Sequence, residues 1–149
     1  MRVVQVCALG YVVLAVLSTT AQENPPPQTY SGLEISISGI ERAATAALSD
    51  CPAGANAVRA MSRPGEGFAI VTVRVKVLPS FEDVSLGRPV LTNTAGELYY
   101  TAAAFVDTGS EPEYSCVFPF RIPNGTALKS IRIGDVISFD LTSLDTQMP

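Results

Sequence analysis

FAIVTVRVKVL, Phe68 to Leu78, decides the fold class. Val71, Val73, Val75 and Val77 fall on one side of an extended chain, and Thr72, Arg74 and Lys76 on the other. Apolar residues at period two, most of them β-branched, suit a pleated surface with one buried face and crowd a helix. The stretch is a strand, and Pro79 ends it.

Toward the N-terminus, GLEISISGI (Gly32 to Ile40) repeats the pattern with Leu33, Ile35 and Ile37 on one face. The segment between them, Glu41 to Gly67, is open to two readings. Alanine-rich Arg42 to Leu48 suits two helical turns, or it continues the first strand before a long loop. Asp50-Cys51-Pro52 and Arg63-Pro64-Gly65 are turn punctuation in either case. Toward the C-terminus the same alternation predicts a short strand around Val90 and further strands over Glu97 to Val106, Tyr114 to Ile122, Leu128 to Ile133 and Val136 to Leu141. Asn93 to Gly96, Asp107 to Pro112, Pro123-Asn124-Gly125 and Gly134-Asp135 separate them. About seven short strands with a turn roughly every ten residues predict an all-β, immunoglobulin-like antiparallel sandwich. Its expected core takes the alternating residues of each strand, including Leu98 and Tyr100, Phe118 and Phe120, Ile131 and Ile133, and Ile137 and Phe139.

The chain opens Met1-Arg2, runs apolar from Val3 to Leu17 and closes on the small and polar residues Ser18 to Gln22. A positive start, an apolar run too short for the roughly 20 residues of a membrane span, and small residues at its end predict a signal peptide over 1–21, cleaved after Ala21. Cys7 lies inside the apolar run rather than at its end, which speaks against a lipid anchor. The organisation expected is a signal peptide at 1–21, a Pro-rich flexible leader at 22–31, the sandwich at 32–142 and a free tail at 143–149. The product is expected to be secreted, extracellular or periplasmic, with no membrane insertion after cleavage.

Loss of Arg2 leaves 9 basic against 14 acidic residues, a net charge of −5. No basic stripe exists, so nucleic acid is not an expected partner. Cys51 and Cys116 have one pairing in an exported chain, a disulfide closing a long loop; two free thiols are the rival reading.

The sequence holds no histidine. That removes Ser-His-Asp and Cys-His nucleophilic machinery and His-based zinc catalysis. Gly65-Glu66-Gly67 lacks the helix and lysine of a phosphate loop. No cofactor and no metal are expected. The acid-rich spots are Glu82-Asp83 and the candidate binding loop of Asp107, Glu111 and Glu113. Their carboxylates are read as solvated loop charges; the alternatives are weak calcium binding and a glycosidase acid–base pair. Tyr99, Tyr100 and Tyr114 are candidates for an aromatic patch, although alternation sends Tyr99 and Tyr100 to opposite faces. Asn124-Gly125-Thr126 fits the N-glycosylation acceptor pattern.

In order, GLEISISGI, a long loop, GFAIVTVRVKV, the LTNTAGELYY hairpin, VFPFRIP and the closing IRIGDVISFDL resemble a family of small exported bacterial immunoglobulin-like domains of unknown function. The secreted mycobacterial immunoprotective antigens belong to the same structural group. The likeness spans Gly32 to Leu141. It implies a fold and an extracytoplasmic place, and brings no catalytic residues. Many members are lipoproteins and carry Asn after the long strand, where this chain has Leu78-Pro79. The function expected is therefore a non-catalytic binding or interaction module for an extracellular protein or glycan, through the Cys51–Arg63 loop and the Asp107–Glu113 turn. The alternative is a carboxylate-dependent hydrolase of envelope polysaccharide.

Overall fold

The computed structural model describes residues 23–52, 54 and 57–145, so the expected signal peptide lies outside the described residues. Ten strands follow in order: β1 (Gln28–Tyr30), β2 (Leu33–Ala43), β3 (Thr45–Leu48), β4 (Val58–Met61), β5 (Glu66–Val77), β6 (Pro89–Asn93), β7 (Leu98–Tyr100), β8 (Glu113–Pro123), β9 (Leu128–Ile133) and β10 (Ile137–Asp140). No helix occurs among the described residues. Two four-stranded antiparallel sheets run β1-β2-β5-β8 and β10-β9-β6-β7, and β3-β4 form a third, two-stranded one.

The valine run is the centre of the first sheet. Leu33, Ile35 and Ile37 of β2 stand opposite Val77, Val75 and Val73 of β5. A bulge between Ile37 and Gly39 then shifts the register, which brings Ile40 opposite Val71. The inward residues of both four-stranded sheets meet in one cluster: Ile35, Val73 and Phe118 from the first, Leu91, Ile131 and Phe139 from the second, all almost fully buried. Phe68 and Ile70 have the same strand parity as Thr72, Arg74 and Lys76, so they point away from this core. They form a second small cluster with Ala46, against which Ala43 and Ala60 pack. The β3–β4 hairpin thus covers the apolar half of the outer face and leaves the charged half to solvent.

Three strands exceed the expected seven. Of the two readings of Arg42 to Leu48, the extended one holds: β2 runs on to Ala43, and β3 pairs with β4 inside the expected loop. The third is β1. Ser31 and Gly32 both have positive φ, 45° and 75°, and turn Gln28–Tyr30 back onto β2 with Tyr30 opposite Leu33. The expected flexible leader therefore ends before Gln28, whose side-chain amide also donates to the Ser138 carbonyl oxygen of β10.

Two core expectations and the free tail are corrected. Leu98 and Tyr100 are 48% and 69% exposed, because β7 lasts only three residues at a sheet edge and Tyr99 is the residue that turns inward. The chain beyond it is irregular, burying Thr101, Ala103 and Phe105. In the tail, Leu144 is buried in the core and the Asp145 carboxylate is bonded to Arg42 and to the Leu128 amide, so the fold extends through Asp145.

Candidate binding site

The two surfaces expected from sequence approach each other only at Cys51, beside the stretch before Asp107; the Arg63 end of the loop adjoins Pro123, at the other end of β8 from Glu113. A disulfide joins Cys51 to Cys116 of β8, with Cα atoms 5.3 Å apart. Cys51 also pairs with Phe105: its amide donates to the Ala104 carbonyl (2.8 Å), and the Val106 amide donates to its own carbonyl (2.7 Å). The Asp50 carboxylate accepts from the Ala104 amide at 2.9 Å. Phe105 stacks on Phe118 with ring centroids 4.9 Å apart. The Cys51 segment is thereby fixed to the stretch that leads into the Asp107–Glu113 turn.

The turn itself does not assemble a site. Asp107, at φ 47°, starts it, and its carbonyl accepts from the Ser110 amide at 3.0 Å. Asp107, Glu111 and Glu113 are all exposed, and Glu113 is ion-paired with Arg74 on β5. Among the described residues, no group of three acidic or cysteine side chains is placed to hold a metal ion. The turn therefore offers calcium no three-carboxylate site. Glu82 and Asp83 are exposed as well. Tyr114 is buried, and its hydroxyl donates to the Thr108 carbonyl at 2.8 Å. Burial, with the nearby charges of Asp107 and Glu111, pushes the Tyr114 phenol up to about 12. Tyr99 is half-buried and bonded to Glu97, and Tyr100 stands in solvent. The three tyrosines form no common patch.

A second feature was not foreseen. A cavity of about 330 Å³ opens where two glycine turns lie side by side. In Arg63-Pro64-Gly65-Glu66, the Glu66 amide donates to the Arg63 carbonyl (3.0 Å) and Gly65 has φ 81°. In Pro123-Asn124-Gly125-Thr126, the Thr126 amide and hydroxyl donate to the Pro123 carbonyl (3.3 and 2.7 Å) and Gly125 has φ 78°. A positive φ at the third turn position is the role glycine fills at least cost. Register places Glu66 opposite Pro123, and the Asn124 amide donates to the Gly65 carbonyl at 3.0 Å, which locks the turns together.

Gly67 leaves the cavity open. A Cβ there would lie 3.2 Å from Asn124 Oδ1 and 3.5 Å from the Ala43 carbonyl oxygen. Glu66 belongs to the lining, but its side chain shares the strand parity of Phe68 and turns to the other face of the sheet from Gly67, where its Oε2 is buried 3.5 Å from Arg121 Nη1. Arg121 lies over the Phe68 ring, 5.0 Å from its centroid, and donates to the Met61 carbonyl at 3.0 Å. Arg42 lines the opposite side and is already engaged, with Asp145 at 2.5 Å and the Thr126 carbonyl at 2.8 Å. The lining contains no cysteine, serine, threonine or lysine to act as a nucleophile. Its polar groups, Arg42 and Asn124, stand among Ala43, Ala44, Phe68, Ile122 and Pro123.

No protein-family model, no curated protein and no solved structure matches the chain. The molecule is therefore described by its own features: a disulfide-bonded, all-β domain with a cavity beside two turns. No helix among the described residues is long and apolar enough to cross a membrane.

Proposed function

We propose that this is an exported immunoglobulin-like sandwich, of the kind the sequence resembles, that binds an extracellular or periplasmic protein or glycan and catalyses no reaction. The observation that carries this reading is the cavity between the Glu66 and Asn124 turns. It sets the Asn124 side chain and the Ala43 carbonyl among apolar residues, and pairs no nucleophile with a base. The carboxylates that a hydrolase would use, Glu82, Asp83, Asp107, Glu111 and Glu113, are exposed, and Glu113 is spent on Arg74. Two antiparallel sheets over one core, with a disulfide binding a loop to β8, support the sandwich and the export. The net negative charge supports the absence of nucleic acid and anionic membrane from the partners.

Affinity capture of the tagged mature protein from its producer's envelope and medium, with cross-linking, tests the reading. Retention of one protein or glycan at stoichiometric amount is the expected result. Recovery of the bare protein alone overturns it, as does hydrolysis of an envelope polysaccharide that is lost on changing Glu82, Asp83, Asp107, Glu111 or Glu113.

A further inference from the structure

We infer that the outward face of the β3–β4 hairpin, with Arg59, Met61 and Arg63 in line, docks an extended acidic segment of a protein partner. The inference rests on the binding reading above and names the kind of partner. Ala60 packs on the Phe68 and Ile70 cluster, so its neighbours Arg59 and Met61 turn away from the sheet. The Ser62 amide still donates to the Ala44 carbonyl at 2.8 Å, so the alternation runs past the end of β4, and Arg63 follows on the outward side, exposed. Alternate residues of a strand stand about 7 Å apart, which sets a cation on either side of Met61. Met61 is 72% exposed, and Val58 at the start of β4 is 63% exposed. Beside them, Arg121 of β8 donates to the Met61 carbonyl.

Charge and exposure select the occupant. Arg42 and Arg74 are matched by Asp145 and Glu113, whereas neither Arg59 nor Arg63 is ion-paired among the described residues. Arg121 has Glu66 at 3.5 Å, so the patch sets the guanidinium groups of Arg59, Arg63 and Arg121 against a single carboxylate, in a chain that is acidic as a whole. Guanidinium forks hold carboxylates by parallel hydrogen bonds, the chemistry by which arginine clusters take up acidic motifs. An anionic polysaccharide would satisfy the arginines and leave Met61 and Val58 in water. A negatively charged membrane would meet the repulsion of an acidic domain. A protein segment with an apolar side chain between two carboxylates answers both features. Its acids reach Arg59 and Arg63, and its apolar side chain covers Met61, whose flexible thioether adapts to it. Arginine and methionine are also enriched where proteins meet.

The test is an amide chemical-shift titration of the full mature protein with the capped peptide Glu-Thr-Leu-Thr-Glu. Saturable shifts at Arg59, Met61 and Arg63 are expected, and they should weaken as salt rises. Serine in place of the peptide's leucine, or Met61→Ser in the protein, should weaken binding about threefold through lost apolar contact. Arg59→Glu with Arg63→Glu should weaken it at least about tenfold, because two ion pairs become repulsions. Both positions are exposed, so urea denaturation should find the double variant as stable as the parent. Should it unfold, Arg59→Gln with Arg63→Gln carries the decision. No saturable shift in the parent, unchanged affinity in the double variant, or tighter binding of polygalacturonate than of the peptide overturns the inference. In the capture experiment above, full retention of a partner by the double variant overturns the patch as its docking site and leaves the binding reading standing. Capture of nothing by the parent overturns the binding reading, and the peptide titration then decides the patch on its own.

Discussion

Removal of the Asp145 carboxylate should destabilise the whole domain, although the residue lies only four positions before Pro149. Its side chain is only 4% exposed and accepts from Arg42 Nη2 at 2.5 Å and from the Leu128 amide at 2.7 Å. In Asp145→Ala the Leu128 amide, at the buried start of β9, loses its partner, which costs about 1–3 kcal/mol. Breaking a fully buried ion pair costs about 3–5 kcal/mol, and the 23% exposure of Arg42 lets water recover part of that. The two effects share one carboxylate, so about 3 kcal/mol is the expected total. For a fold of about 120 residues, each kcal/mol moves the melting temperature by about 4 °C, so a drop of about 12 °C should follow. Urea and thermal denaturation of Asp145→Ala, Arg42→Met and the double variant would measure both the loss and the coupling. A loss under about 1 kcal/mol, or a coupling near zero, refutes the reasoning and returns the segment to a free tail. Because the pair is largely buried, the loss should persist at high salt.

Replacing Cys51 and Cys116 together by alanine should cost about 4 kcal/mol, from a loop with sequence separation 65, read by urea denaturation against the oxidised parent. A loss below about 1 kcal/mol would mean that the hydrogen bonds of Cys51 hold the segment unaided. Gly32→Ala sets a methyl 2.3 Å from the Phe81 Cα at φ 75°, and overpacking against backbone with left-handed strain should lower stability by about 3 kcal/mol. An unchanged urea midpoint would show that the Ser80–Phe81 backbone moves aside freely. Tyr114 holds its proton more tightly folded, at about 12, than at its ordinary value of 10, so its contribution is complete below pH 10 and is lost as pH rises toward 12. Ultraviolet phenolate titration should lose its latest-ionising tyrosine in Tyr114→Phe; a titration unchanged by that substitution would contradict the burial of its hydroxyl.

Alternation made seven strands legible, six of them through a buried stripe of their own; β7 was marked by the turn before it, and its inward residue is Tyr99 rather than Leu98 and Tyr100. The three others lacked such a stripe. β1 follows three prolines, and only the Ser31–Gly32 turn folds it back. β3 and β4 are rich in alanine, which has weak β preference, and they pack by tertiary contact on Phe68 and Ile70. A signal for that cover was present: two large apolar residues at the parity of Thr72, Arg74 and Lys76 need something over them. The disulfide was legible once Cys7 is assigned to the expected signal peptide and the chain is read as exported, which leaves Cys51 and Cys116 as one pair. The cavity was not. Arg63-Pro64-Gly65 and Pro123-Asn124-Gly125 read correctly as turns, but their contact depends on the register that sets Glu66 opposite Pro123, 57 positions along the chain, and no local pattern encodes that. The acidic loops drew attention for the opposite reason: charge density is visible in sequence, whereas convergence is not.

The way the sheets end bears on where a partner can dock. A strand edge left bare invites another chain to pair with it. β8 is the long edge of the first sheet, and no strand pairs with its far side among the described residues. Yet Cys116 ties Cys51 to it, Phe105 stacks on its Phe118, and Pro119 and Pro123 remove backbone donors along its C-terminal half. At the other edge, β1 is only three residues long and its Gln28 side chain reaches across to β10 of the second sheet. β7 is also three residues long. The β8, β7 and β10 edges are thus short, covered or proline-broken, which disfavours strand addition there, whereas β2 beyond Ile35 carries no strand on its β1 side among the described residues. Of the turns at the sheet ends, Arg63–Glu66 and Pro123–Thr126 together frame a concave surface.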